Sequence, residues 1–86
     1  MEFTIVKEDI VISKHCPYLG LELKFFAELS QAPSLDRLNS KFGYTKDNIQ
    51  VISRLANIMK SNATKEQLIA FAKGVLAMHS KEVDLL

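Results

Sequence analysis

The sequence predicts a small α+β fold in which a β-hairpin leads directly into a helix. Two runs with strand-like patterns, 34–38 and 49–52, are separated by a turn-rich segment. Apolar positions at helical spacing begin at about Ser53, and a capping-box sequence opens a second helix. We therefore expect one α+β domain, with a hairpin-helix core at about 33–61 and a C-terminal helix at about 64–79.

Length and composition set the class of protein. The chain has 86 residues, which suffice for one domain, and its 48% apolar and 24% charged residues are typical of a folded globule. A single cysteine, Cys16, excludes an internal disulfide and is consistent with a reducing compartment. No apolar run approaches a membrane span, and the N-terminus lacks a signal-peptide pattern. We expect a soluble protein in the cytoplasm, with no membrane partner.

The first third of the chain is expected to hold short extended segments. Residues 3–6 alternate loosely and predict a short strand, whereas 7–12 fits either a helical turn or a strand. Pro17 and Gly20 predict a turn. Residues 21–25 alternate cleanly, which predicts a strand with its leucines in the core.

The hairpin is predicted from the middle of the chain. Residues 34–38 alternate apolar and polar side chains, and the β-branched run 49–52 supplies the second strand. The segment between them contains Gly43 and Asn48, which favour an extended turn over 39–48.

Two helices are predicted to follow the hairpin. The first begins at about Ser53 and ends near Asn62. The second begins at Thr64, which forms a capping box with Gln67. The second helix has an apolar stripe that we expect to pack in the core, made of Leu68, Ile69, Ala72, Val75 and Leu76.

Positive charge is concentrated in residues 36–65. This basic block holds six basic and two acidic side chains, a balance of +4, whereas the segments on either side balance to −2 and −1. A segment that contacts phosphate carries such an excess, and so does a solvated surface of mixed charge. Charge alone leaves both interpretations open.

Five short motifs follow one another along the chain. They are CPYLG at 16–20, PSLDRL at 33–38, GYTKDNIQVIS at 43–53, ANIMK at 56–60 and NATKEQL at 62–68. Together they resemble the motifs of small phage HNH (ββα-metal, His-Me finger) endonuclease-like proteins. Those motifs are roughly C-P-x-L-G, P-S-L-D-R-I, G-Y-x-x-x-N-V-x-V-I-S, A-N-x-x-K and D-A-T-x-E-E-L. The resemblance extends from about Phe3 to about Leu76.

The resemblance implies a set of catalytic residues on a hairpin-helix platform. Asp36 and Asn57 are implied as ligands of a Mg²⁺ ion, a cation that favours oxygen ligands, and Asn48 as the residue that braces the hairpin. Arg37 stands where HNH nucleases have the histidine that acts as general base. Arginine stays protonated and cannot take that role, but it can clamp a phosphate or stabilise charge in the transition state. A metal-bound hydroxide would then have to replace the base.

The zinc ligands of larger HNH proteins are also altered. Their two cysteine pairs correspond here to Cys16 and Leu19, and to Ser53 and Ala56. Three of the four thiolates are absent, so a tetrahedral site cannot form and we expect no structural zinc. We infer that apolar packing replaces the metal at these positions.

Two functions follow from the resemblance. One is a Mg²⁺-dependent DNA endonuclease or nickase. The alternative is a catalytically inactive HNH-derived module, either a DNA-binding regulator or a phage inhibitor that binds a host or rival protein. The related group has arginines where this chain has Leu55 and Ile58, which favours the alternative. The nuclease is favoured by the motif residues that this chain retains, which are Asp36, Asn48, Asn57 and Lys60. In either case, DNA is the expected partner, and the expected phosphate contacts are Arg37, Lys46, Arg54 and Lys60.

Overall fold

The computed structural model describes residues 2–80 of the chain. It has an α+β architecture in which a two-stranded antiparallel hairpin is followed by two helices, which confirms the predicted fold class, hairpin and helices. The elements are β1 (Pro33–Arg37), β2 (Ile49–Ser53), α1 (Arg54–Lys60) and α2 (Lys65–Met78), with short 3₁₀ turns at Lys7–Asp9 and Lys46–Asn48.

The register of the hairpin determines which polar side chains meet. β1 and β2 pair so that Leu35 lies opposite Val51, and Asp36 lies opposite Gln50. Directly opposed residues of antiparallel strands bring their side chains together on the same face of the sheet. The sheet therefore places a carboxylate beside a carboxamide.

Helix α1 continues from β2 without a loop. The Ser53 hydroxyl caps its first turn by accepting a hydrogen bond of 3.0 Å from the Ala56 N–H, as the predicted start at Ser53 requires. The helix ends at Lys60, two residues before the predicted terminator, where Ser61 has a φ of 46°. The direct connection holds α1 against both strands, and its buried residues are Ala56 and Lys60.

The core is small and lies where α1 meets β2 and the N-terminal loop. Cys16, Ile52 and Ala56 are buried there, with Leu19 and Leu23 packed around them. Few apolar side chains are buried in this domain, so each buried one contributes a large share of the hydrophobic stabilisation.

The two strands predicted in the N-terminal third are wrong. Residues 3–6 form only an isolated bridge to Tyr44, and 21–25 form only the bridge between Glu22 and His15. The first leucine of the second segment is 44% exposed instead of buried. The alternation of apolar and polar residues is a property of each segment alone, whereas a strand also needs a neighbouring strand to pair with. These two segments pair with other parts of the chain only through isolated bridges.

The apolar stripe of α2 is not part of the core, which corrects the sequence prediction. The capping box itself forms, with the Thr64 hydroxyl accepting from the Gln67 N–H and the Gln67 side chain accepting from the Thr64 N–H. No residue of α2 is buried, and Leu76 of the stripe is 55% exposed. The helical period was recognised correctly, but within residues 2–80 no second layer covers this helix.

Candidate functional site

A polar cavity of about 210 Å³ lies between β1, the hairpin loop and the end of α1. Asp36 and Arg37 of β1 line it together with Asn57 of α1. The fold thus brings together three of the four predicted catalytic residues. The remaining lining side chains come from the loop and from the residues after α1, among them Tyr44, Ser61 and Asn62.

Asp36 is buried and carries its own counter-ion. The Lys60 ammonium lies 2.7 Å from Oδ2 of Asp36, and Nε2 of Gln50 donates to the same oxygen at 3.0 Å. Only 5% of Asp36 is exposed. An ion pair in such a place is costly to break from one side, because a buried charge is then left alone.

Lys60 does not have the surface role that the basic block predicted. Its ammonium is buried, and it also donates to the Arg37 carbonyl at 2.6 Å. A phosphate would have to displace Asp36 to reach this ammonium. In this structure Lys60 joins α1 to β1, and its contact with phosphate stays a prediction that would require the ion pair to open.

Arg37 is held in place by the hairpin loop. Its Nη1 donates to the carbonyls of Ser40 and Phe42, both at 3.1 Å. The guanidinium carbon lies 5.3 Å from the centroid of the Tyr44 ring, within the range of a cation–π interaction. These contacts place the positive charge of Arg37 in the wall of the cavity.

Asn57 is fixed to β1 through its amide nitrogen. Nδ2 donates to the Ser34 hydroxyl at 2.9 Å and to the Leu35 carbonyl at 3.1 Å. Because the nitrogen is used in this way, the amide oxygen is the Asn57 atom that could accept a hydrogen bond from a ligand or coordinate a cation.

Asn48 braces the hairpin loop and does not line the cavity. Its Oδ1 accepts from the Asn39 N–H at 2.9 Å, and its Nδ2 donates to the carbonyls of Asn39 and Gly43 at 3.0 and 2.9 Å. These three bonds tie the two ends of the loop together. The loop carries Tyr44, so Asn48 influences the cavity only indirectly.

A second, more open cavity continues the first along α1. Arg54 and Ile58 line it with Ser34, and it shares Asn57 and Ser61 with the first cavity. We call the two together the polar groove. Arg37 lines the first cavity and Arg54 lines the second, whereas Lys46, the other predicted phosphate contact, is exposed on the loop and lines neither.

The groove is a poor Mg²⁺ site with Lys60 in its present position. The carboxylate of Asp36 and the amide oxygen of Asn57 are hard ligands of the kind Mg²⁺ uses. However, the Lys60 ammonium already neutralises Asp36, and a dication would be placed beside it. Residues 2–80 contain no cluster of three or more His, Cys, Asp or Glu side chains. Mg²⁺ binding stays a prediction, and it requires Lys60 to move.

The four positions that the motif resemblance aligns with zinc ligands converge around Cys16. Its Sγ accepts N–H bonds from Leu19 at 3.5 Å and from Ser53 at 3.3 Å, and Ala56 packs in the same apolar cluster. Burial raises the pKa of the Cys16 thiol, but these N–H donors lower it, and the net pKa is below the ordinary value. Packing and hydrogen bonds hold these four positions together.

Sequence reasoning missed two contributors to the site. Gln50 bonds to Asp36, and the strand register could have indicated this, because paired residues share a face. Ser61 lines both cavities, but a serine after a helix carries no signal of such a position.

Comparison of the chain with protein families, curated proteins and solved structures found no match. Within the part of the chain that the structure describes, no helix is long and apolar enough to cross a membrane. What the groove can do must therefore be argued from its own geometry.

Proposed function

We propose that this chain is an HNH-like module that binds the phosphate backbone of DNA in the polar groove without cleaving it. One observation carries the proposal. Each of the two cavities of the groove is lined by an arginine, and the carboxylate in its wall, Asp36, is already neutralised by Lys60. The groove therefore places two guanidinium groups beside a carboxylate that has its own counter-ion.

The chemistry of the groove suits a polyanion. The guanidinium groups of Arg37 and Arg54 provide planar donors that match phosphate oxygens, and Ser61, which lines both cavities, adds a neutral hydroxyl donor. Such contacts with the backbone carry little sequence information. We therefore expect strong dependence on salt and weak dependence on base sequence.

Three features of the fold support the HNH-like relationship. The hairpin leads directly into α1, which packs on both strands. Asn48 braces the loop, the role that the resemblance implies for it. The positions that correspond to zinc ligands, around Cys16, lie together in the core.

Binding without hydrolysis follows from two side chains. Arg37 occupies the position of the general base and remains protonated. The Lys60 ammonium forms an ion pair with Asp36, the carboxylate that a catalytic metal would need. The rival proposal, a Mg²⁺-dependent nickase, is supported by the fact that Asp36 and Asn57 line one cavity.

The decisive experiment compares the salt dependence of duplex DNA binding for matched variants. Arg54→Ala should lower affinity and reduce the slope of log affinity against log salt by about 0.9, the value for one lost phosphate contact. Arg54 is exposed, so the fold should be unaffected. Lys73→Ala, which removes an exposed charge on α2 away from the groove, should leave the slope unchanged.

Two results would overturn the proposal. Equal losses for Arg54→Ala and Lys73→Ala would show that binding does not use the groove. Nicking of supercoiled plasmid by the wild type with Mg²⁺ or Mn²⁺, and its loss in Asp36→Ala, would establish the nickase instead.

A further inference from the structure

A third cavity adjoins the polar groove at the hairpin loop. It has a volume of about 240 Å³ and lies between the loop and the start of α2. Ser40 lines both this third cavity and the first cavity of the groove. The Ser40 carbonyl also accepts a hydrogen bond of 3.1 Å from Nη1 of Arg37, so Arg37 lies beside the shared residue. We call the polar groove and the third cavity together the extended cleft.

Two segments of the chain line the extended cleft, and each passes the cavities in the same order. In the hairpin, Ser34 lines the second cavity, residues among 35–37 line the first, and residues 38–41 line the third. After the hairpin, Arg54 lines the second cavity, and residues 63–66 line the third. The three cavities are therefore successive parts of one depression, with the first cavity in the middle.

The third cavity adds two lysines to the extended cleft. Lys41 of the hairpin loop and Lys65 of α2 line it, and both are exposed. Lys60 is paired with Asp36, but within residues 2–80 no carboxylate forms an ion pair with Lys41 or Lys65. Their ammonium groups can therefore bind a phosphate without breaking a contact of the fold.

One acidic side chain also lines the third cavity. Glu66 follows Lys65 directly on α2, and adjacent residues of a helix do not face each other. With two lysines and one glutamate, the formal charge of the cavity lining is +1. A phosphate bound there would be attracted by both lysines and repelled by Glu66, so removal of the Glu66 charge should strengthen binding.

We propose that the DNA backbone bound in the polar groove continues into the third cavity, where Lys41 and Lys65 contact further phosphates. This inference rests on the proposed function, because it extends the path of the same backbone. Along the extended cleft, the bound strand passes Arg54, Arg37 and then the two lysines. Four cations on one path should give a steeper salt dependence than the two arginines alone.

The salt dependence of duplex DNA binding tests the new end of the path. Lys41→Ala and Lys65→Ala should each lower affinity and reduce the slope of log affinity against log salt by about 0.9, and the double variant should reduce it by about 1.8. Both lysines are exposed, so the fold should persist, which circular dichroism can verify. Lys73→Ala removes an exposed lysine that is also on α2 but lines none of the three cavities, and it should keep the wild-type slope.

Neutralising Glu66 tests the sign of the charge effect. Glu66→Gln should raise affinity by up to about fivefold at low salt, because it removes the carboxylate that repels the bound phosphate. Glu22→Gln removes the same charge from an exposed position outside the three cavities and should raise affinity less. A gain in affinity cannot result from damage to the fold.

Three outcomes would overturn the continued path. One is a wild-type slope for both Lys41→Ala and Lys65→Ala. Another is a Glu66→Gln variant that binds no more tightly than Glu22→Gln. The third is a larger loss of slope for Lys46→Ala than for Lys41→Ala, which would place the DNA on the outer side of the hairpin loop.

Arg54→Ala distinguishes failure of the continuation from failure of the groove. If Arg54→Ala loses slope but Lys41→Ala and Lys65→Ala do not, the groove binds DNA and the backbone leaves before the third cavity. If Arg54→Ala keeps the wild-type slope, the groove proposal fails and the continuation fails with it.

Discussion

Replacing Lys60 with methionine should destabilise the domain strongly. Methionine retains most of the apolar length of lysine but removes the ammonium. Oδ2 of Asp36 loses its contact at 2.7 Å, and the Arg37 carbonyl loses its contact at 2.6 Å. The change leaves a buried carboxylate without a counter-ion and keeps the packing almost intact.

The expected magnitude follows from burial. Both members of the pair are at least nine-tenths buried by side-chain area, so solvent screens the pair little. Removing one partner from a buried pair costs about 3–5 kcal/mol, and the total stability of a domain is about 5–15 kcal/mol. Because this domain has a small core, we expect Lys60→Met to lower its unfolding free energy by about 3 kcal/mol.

Urea denaturation at neutral pH, followed by circular dichroism, measures this loss. The double variant Asp36→Asn/Lys60→Met should recover part of the stability, because asparagine is uncharged and can still accept the Gln50 hydrogen bond. Lys46→Met removes an exposed lysine and should change the unfolding free energy by less than about 0.5 kcal/mol.

Either of two results would contradict the expected effect of Lys60→Met. One is a loss for Lys60→Met no larger than that for Lys46→Met, which would mean that water reaches the pair. The other is a double variant less stable than Lys60→Met, because the cost would then not come from an isolated carboxylate.

Three further predictions concern the loop and the core. Asn48→Ala should lower the unfolding free energy by about 1–3 kcal/mol, because it leaves the Asn39 N–H and the Gly43 carbonyl without their Asn48 partner. Urea denaturation measures this loss, and an unchanged midpoint would contradict the role of Asn48 in bracing the loop. Gly43→Ala should release the N-terminal segment, because the alanine Cβ would collide with the backbone of Glu2. Amide hydrogen exchange near Glu2 should become faster, and an unaltered exchange rate would contradict the expected collision. In the folded protein the pKa of the Cys16 thiol is below its ordinary value. The stability that the Cys16 thiolate contributes is therefore present above the pKa of this thiol in the unfolded chain, and it is lost as pH falls through the pKa in the folded chain. Wild type should therefore gain unfolding free energy relative to Cys16→Ala as pH rises from neutral towards about 8.5, and a constant difference would refute the assignment.

Local signals in the sequence determined the hairpin and the helix starts. The β-branched run 49–52 predicted β2, and Ser53 and the box at Thr64 predicted where the helices begin. These features depend on residues within one turn or one strand of each other, so they can be recognised without knowing the rest of the fold. The same holds for Asn48, a residue type suited to close a loop onto nearby backbone.

The candidate site was only partly predictable. The motif resemblance placed Asp36 and Asn57 on neighbouring elements, and the structure brings both into one cavity. The basic block suggested Lys60 as a phosphate contact, and the structure buries its ammonium beside Asp36. A basic residue on a helix has the same sequence signature whether its ammonium meets solvent or a carboxylate.

Only the tertiary structure decided the partners of these side chains. Lys60 and Asp36 are 24 residues apart, and they meet because α1 folds back across β1. The period of α2 predicted an apolar face but not what covers it, because periodicity specifies a direction and not a neighbour. Residues 21–25 had the alternation of a strand but lacked a partner to pair with. Each of these outcomes depends on contacts between distant segments, which local pattern does not encode.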